Sequence, residues 1–192
     1  MWEVKMQEFD RKKFDSYVGM NTTWWIHYNQ YRNAAIILMN TVNEGFPIDR
    51  ISLPIFFQIR HSLELGLKAN ILELEKINID IQKIEFDGKS HNISGLNKKL
   101  KEHFSVLELD KFSIELKSEF DNYQSSLDQL VDKFDFLDKQ SYSFRYPVDK
   151  IGNPSFEWET RQNLLDFIVV YKKVDTFLLF TLNVLDDNGI IE

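Results

Sequence analysis

The sequence predicts an all-α protein: an up-and-down bundle of about five helices, folded as one domain over residues 1–192. Three observations predict it. Only 7 Gly and 4 Pro interrupt 192 residues, and so few breakers favour long helices over a strand-rich fold with frequent turns. Apolar residues recur at alternating steps of four and three along several long segments, which places them on one face of a helix. The hydrophobic fraction is 43%, with 16 Phe and 4 Trp against 28% charged residues, which is ample material for a core.

The elements follow in order. Residues 1–20 mix Trp2, Phe9, Phe14 and Tyr17 with acids and lysines, and read as an N-terminal arm or a short helix. A first helix is predicted from about Thr22 to Val42, with Trp24, Tyr28, Tyr31, Ala35, Leu38 and Val42 on one face. Ala34 and Ala35 leave room for a neighbouring helix, and Gly45 can take the left-handed conformation that ends a helix. A second helix starts near Ser52, a good N-cap, and tolerates Pro54 in its first turn. Ile55, Ile59, Leu63, Leu67, Ile71 and Leu74 carry its apolar face to about Asn78.

After a connection ending in Asp87-Gly88-Lys89, Ser90 is predicted to cap a short third helix bearing Ile93, Leu96, Leu100 and Phe104. Gly95 weakens that helix by about 1 kcal/mol relative to Ala. The fourth helix is predicted from about Asp110 to Leu137, its apolar stripe running Leu116, Phe120, Tyr123, Leu127, Leu130, Phe134 and Leu137. Its other face, with Glu119, Asp128, Asp132 and Lys133, is for water. Residues 138–155 form an irregular, aromatic-rich loop, because Pro147, Gly152 and Pro154 exclude a continuous helix, and a long loop in a helical domain is often functional. The last helix is predicted from about Ser155 to Leu185. It is apolar on several sides, so it is central or shared with a second copy in a homodimer.

Bulk composition excludes several classes of function. A net charge of −7 opposes a broad electrostatic grip on nucleic acid, so RNA or nucleotide binding would need a local basic patch. With no Cys there is no disulfide, thiolate metal ligand or Cys nucleophile, which fits a reducing cytoplasm. Residues 1–5 lack the character of a signal peptide. The apolar stretch Leu164 to Leu185 is interrupted by Asp166, Lys172, Lys173 and Asp175, which argues against a membrane span. Cytoplasmic localisation is the expectation. No phosphate loop, dinucleotide-binding fingerprint or nucleophile elbow is present, and no Glu-x-x-His or His-x-x-x-His spacing points to a metal or other cofactor.

The polar residues with chemical potential fall in three places. Arg60, Glu64 and Lys68 stand at four-residue intervals on the second helix, stacking cation, anion and cation beside the apolar face. They form either a solvated ladder worth about 0.3–0.5 kcal/mol per pair or a partly buried functional group of charges. His91 opens the third helix, where the positive end of the dipole favours neutral imidazole. It is a proton acceptor or a structural tie to the second helix. In Arg145-Tyr146-Pro147, the Arg145 fork suits phosphate or carboxylate, and it equally suits pinning the loop to Glu64 or to helix-end carbonyls. Lys98, Lys99, Lys101 and His103 make a small basic cluster, a phosphate-facing patch or a solvated face. Trp24 and Trp25 with Tyr28 and Tyr31 make a base-stacking platform or, as their spacing favours, core.

Three of these segments together resemble the HEPN superfamily. Ile59-Arg60-His61-Ser62-Leu63-Glu64-Leu65-Gly66-Leu67-Lys68-Ala69 is similar to the second helix of that family. Ser90-His91-Asn92-Ile93-Ser94-Gly95-Leu96 looks like the start of its next helix, and Phe144-Arg145-Tyr146-Pro147 like the Arg-Tyr-Pro loop before its final helix. The resemblance covers residues 22–186 and implies a helical bundle that commonly dimerises. It implies a ribonuclease or toxin of bacterial conflict systems, an inactive companion of a nucleotidyltransferase, or a binding module. Ribonuclease members carry Arg followed four to six residues later by His. None of Arg11, Arg32, Arg50, Arg60, Arg145 and Arg161 is followed by His at that spacing.

The expectation is therefore a non-catalytic or atypical binding module with a homodimeric or other protein partner. Arg60, Glu64, Lys68, His91, Arg145 and Tyr146 would form one polar cluster, in which Arg145 and Lys68 hold an anionic group and Glu64 orients them. Two alternatives stand beside it. One is a divergent metal-independent ribonuclease with His91 as general base and Arg145 stabilising the transition state. The other is a structural dimeric scaffold.

Overall fold

The structure, a computed structural model, describes Ser16 and residues 23–83, 91–138, 141–157 and 160–191. The expected N-terminal arm over residues 1–20 (Ser16 apart), the Ser90 cap and the turn at Asp87-Gly88-Lys89 lie outside the described residues. Among the described residues there are five α-helices: α1 Trp24–Asn43, α2 Ser52–Ile77, α3 Ile93–Ser105, α4 Ile114–Asp138 and α5 Leu164–Asp187. Single 3-10 turns lie in two of the connections, Ile48–Arg50 between α1 and α2 and Leu109–Lys111 between α3 and α4. Among the described residues there is no strand, only an isolated bridge between Val148 and Pro154. Each helix packs against the next in sequence, and α2 also touches α5. None of the described helices is long and apolar enough to cross a membrane.

Local chemistry sets the helix ends. Thr23 caps α1 by accepting from Ile26 N–H at 3.2 Å, and Gly45 follows its end at φ +93°. Ser52 is the first residue of α2 rather than its cap, and the preceding Ile51 offers no side-chain bond. Asn92 caps α3, accepting from Gly95 N–H at 3.2 Å. Helix α4 starts four residues later than Asp110, because Phe112 buries itself in extended conformation and Ser113 accepts from Leu116 N–H. Helix α5 starts at Leu164, not near Ser155. Asn163 caps it through Leu165 N–H at 2.9 Å, while Ser155 is tied back to Tyr146 O and Pro147 O. The connection between α4 and α5 therefore runs on to Asn163.

The central helix is α2. Every residue from Ser62 to Ile71 is buried, polar ones included, so it lacks the polar outer face of a surface helix. Gly66 permits this closeness, since a Cβ there would meet Leu178 Cδ1 at 2.9 Å and the Tyr28 ring at 3.0 Å. Helix α5 buries one broad side, including Phe167, Tyr171, Val174 and Leu178. It leaves Leu165, Val169 and Phe180 more than half exposed.

Candidate functional site

Arg60, Glu64 and Lys68 share one stripe of α2, as their spacing requires, but they are not a solvated ladder. Their exposures are 0%, 1% and 3%. Lys68 Nζ donates to Glu64 Oε1 at 2.7 Å and lies 5.5 Å from the Trp24 ring centroid. Arg60 Nη1 reaches Glu64 Oε2 at 3.4 Å. Its remaining nitrogens leave the helix: Nη2 donates to His91 O at 2.8 Å and Nε to Asp138 O at 2.9 Å. The Asp138 carboxylate lies beside it, Oδ2 standing 3.8 Å from Nε. Two cations and two carboxylates thus face each other, the pairing that makes buried charge tolerable.

His91 enters this network from the start of α3. Its Nδ1 is 2.9 Å from Glu64 Oε1, while its side chain stays 52% exposed. Burial alone pushes the Glu64 carboxyl upward. The Lys68 hydrogen bond and charge, with the charge of His91, outweigh burial and hold it below the ordinary carboxylate range. With Glu64 ionised, Nδ1 is the donor, and a neutral ring then keeps its lone pair on Nε2. Burial lowers the Arg60 pKa against the pull of Asp138 and Glu64, yet a guanidinium keeps its proton.

The loop after α4 supplies the outer part of the corner. Asp138 Oδ1 accepts from Tyr142 N–H at 2.6 Å and Ser143 N–H at 2.9 Å. Phe144 plugs the core, stacked on Phe56 at 5.5 Å. Arg145 is exposed and donates to Ser141 O. Its guanidinium lies 5.8 Å from the Phe57 ring centroid and 5.5 Å from that of Tyr146. Tyr146 stacks on Tyr142 at 4.5 Å, and Phe57 stacks on His61, which meets Tyr31 edge-on at 4.3 Å. A run of rings and one forked cation therefore crosses from α1 over α2 to the loop.

Of the six expected residues, Arg60, Glu64, Lys68 and His91 are bonded into one network. Among the described residues, Arg145 and Tyr146 are not bonded directly to these four; they connect to them through the bonds of Asp138 to Tyr142 and Ser143 and of Arg145 to Ser141. Lys68 does not stand beside Arg145 as a second anion-holding cation, because it is buried on Glu64. Sequence reasoning took Asp138 only as the start of a loop and gave no role to Phe57 or Tyr142. The signal for Asp138 was an acid at a helix end just before a break, since such residues bond nearby backbone N–H groups.

Several of the other candidates have partners elsewhere. Lys99 pairs with Glu102 and Lys101 with Asp128, and His103 is fully buried beside Asn78. Trp24 and Trp25 pack on the core, and Tyr28 is buried with its hydroxyl donating to Asp175 Oδ1 at 2.8 Å. A cleft of about 590 Å³ near the start of α2 is lined by Leu53, Phe56, Phe144, Phe156, Arg161 and Leu164 among others, and by none of the six residues. No His, Cys, Asp and Glu group among the described residues could hold a metal ion. Comparison with protein families, curated proteins and solved structures finds no match for this chain.

Proposed function

We propose that the chain is a HEPN-like binding module that recognises an anionic group, such as a phosphate of RNA or a nucleotide, with His91, Arg145 and Tyr146. Arg60, Glu64 and Lys68 act from beneath as its rigid support. One observation carries the reading: a buried, charge-balanced network ends in a half-exposed imidazole, and the same Arg60 anchors the turn that bears Arg145. A guanidinium between aromatic rings suits a phosphate beside an unstacked base. A homodimer through α5 belongs to the same proposal, with Leu165, Val169 and Phe180 as its apolar contacts.

Equilibrium binding of labelled mixed-sequence RNA tests it. Wild type binds with a salt-dependent affinity, and Arg145→Ala loses about tenfold or more, the loss of roughly one charge-assisted contact, at unchanged melting temperature. Binding that Arg145→Ala and Tyr146→Ala leave intact would refute the site.

A second reading, a divergent metal-independent ribonuclease, is favoured by the Glu64–His91 bond. A carboxylate on Nδ1 orients an imidazole to accept a proton at Nε2. It requires RNA cleavage without metal that disappears in His91→Ala.

A further inference from the structure

We infer that Asp138 is the positioning residue that couples the two arms of this corner, the His91 arm at the start of α3 and the Arg145–Tyr146 arm after α4. The inference rests on the reading above, because those arms are the groups assigned to the ligand. Asp138 is the last residue of α4 and is 2% exposed. Its carboxylate does two separable things. Through Oδ1 it accepts from Tyr142 and Ser143 N–H, and Tyr142 O in turn accepts from the N–H groups of Arg145 at 3.0 Å and Tyr146 at 3.3 Å. Through its negative charge it faces Arg60 Nε at 3.8 Å, while its own carbonyl accepts from that same nitrogen.

Arg60 carries the effect onward. Its Nη2 holds the His91 carbonyl and its Nη1 meets Glu64, whose other oxygen bonds the imidazole. From the Asp138 carboxylate, the imidazole is reached through Arg60 and the loop through one turn of backbone. A shift of the guanidinium moves both supports of His91 together. Ser141 is held at φ +59° in the same turn, a conformation that non-glycine residues adopt only where the surroundings impose it. Its carbonyl is the acceptor for the Arg145 side chain. Asp138 therefore acts on ligand-facing groups without touching the ligand.

Three variants separate this role from simple stability. Asp138→Asn keeps an oxygen for the two loop N–H groups and removes the charge facing Arg60. Asp138→Ala removes both. Leu127→Ala opens the fully buried core of α4 eleven residues, about 16 Å of helix, away. The readout is the His91 imidazole nitrogen resonances, with hydrogen exchange of the Tyr142 and Ser143 amides. Both Asp138 variants shift the His91 signals, only Asp138→Ala speeds the two amides by about tenfold or more, as local opening does, and Leu127→Ala leaves His91 unmoved. His91 signals unchanged in both Asp138 variants, or shifted as much by Leu127→Ala, overturn the inference. Where wild type binds no RNA, the proposed function fails while this comparison still decides the role of Asp138.

Discussion

Nδ1 of His91 lies 2.9 Å from Oε1 of Glu64, joining a half-exposed ring to a carboxylate with almost no contact with water. That carboxylate also receives Lys68 at 2.7 Å and Arg60 at 3.4 Å. The surface group is therefore only as well placed as the buried charges beneath it.

Glu64→Ala leaves Arg60 and Lys68 buried with one carboxylate fewer. Breaking a buried pair from one side costs about 3–5 kcal/mol, which urea unfolding of the variant measures. Lys76→Ala, which removes an exposed pair with Glu73, changes stability by no more than about 0.5 kcal/mol. Equal costs for the two substitutions would contradict the network.

The pH dependence has a definite sign. Burial, the largest influence in each case, lowers the pKa of His61 and His103 below 6.5, so their unfolded forms take up protons first. Their stabilisation is complete above about pH 6.5, the unfolded value, and is lost as pH falls through the lower folded values. Glu64 is also depressed, from 4.5, and its contribution goes at still lower pH by the same sign. Unfolding midpoints should thus be flat above pH 7, decline below 6.5 and fall faster below 4.5. The double variant His61→Phe, His103→Asn should flatten the first decline, and a midpoint that rises on acidification over that range would refute the assignment.

Two glycines inside helices should respond oppositely to alanine. At Gly66 the new methyl meets buried Leu178 and Tyr28, and overpacking of about 1–3 kcal/mol outweighs the gain in helix propensity of about 1 kcal/mol. At Gly95 the nearest neighbour is 3.7 Å away, so alanine stabilises by up to about 1 kcal/mol. Thermal melts of the two variants in opposite directions are the expected result.

The α5 face has its own test. Phe180→Asp places a charge among the exposed apolar residues of that face without touching the His91 corner. Sedimentation of wild type as a dimer and of Phe180→Asp as a monomer is the expected pair of results. A wild-type monomer at high concentration removes the homodimer from the proposal.

Much of the fold was legible because the apolar spacing of α1, α2 and α4 is regular and breakers are few. The all-round apolarity of Leu164 to Leu185 left two places open for the last helix, the centre of the bundle or a face shared with a second copy. Helix α2 holds the centre, with Arg60, Ser62, Glu64, Lys68 and Asn70 buried along it. Periodicity marks polar residues as outward. Beside the local bonds of Glu64 to Arg60 and Lys68, their burial rests on His91, Asp138, Tyr171 and Leu178, which lie 27 to 109 residues away, beyond any local pattern. The start of α5 was missed because propensity does not register the tie of Ser155 to Tyr146 and Pro147. Within the site, the four-residue ladder and the His91 position could be read from spacing. The burial of Lys68 and the role of Asp138 could not, since both depend on how helices meet.

The most direct test is incubation of a labelled mixed RNA with wild type, His91→Ala and Arg145→Ala, each stably folded and free of metal, scoring bound and cleaved RNA together. The binding reading predicts that wild type retains intact RNA and that Arg145→Ala does not. Cleavage by wild type that is lost in His91→Ala would make the corner catalytic instead. No retention and no cleavage by wild type would contradict the account at its centre.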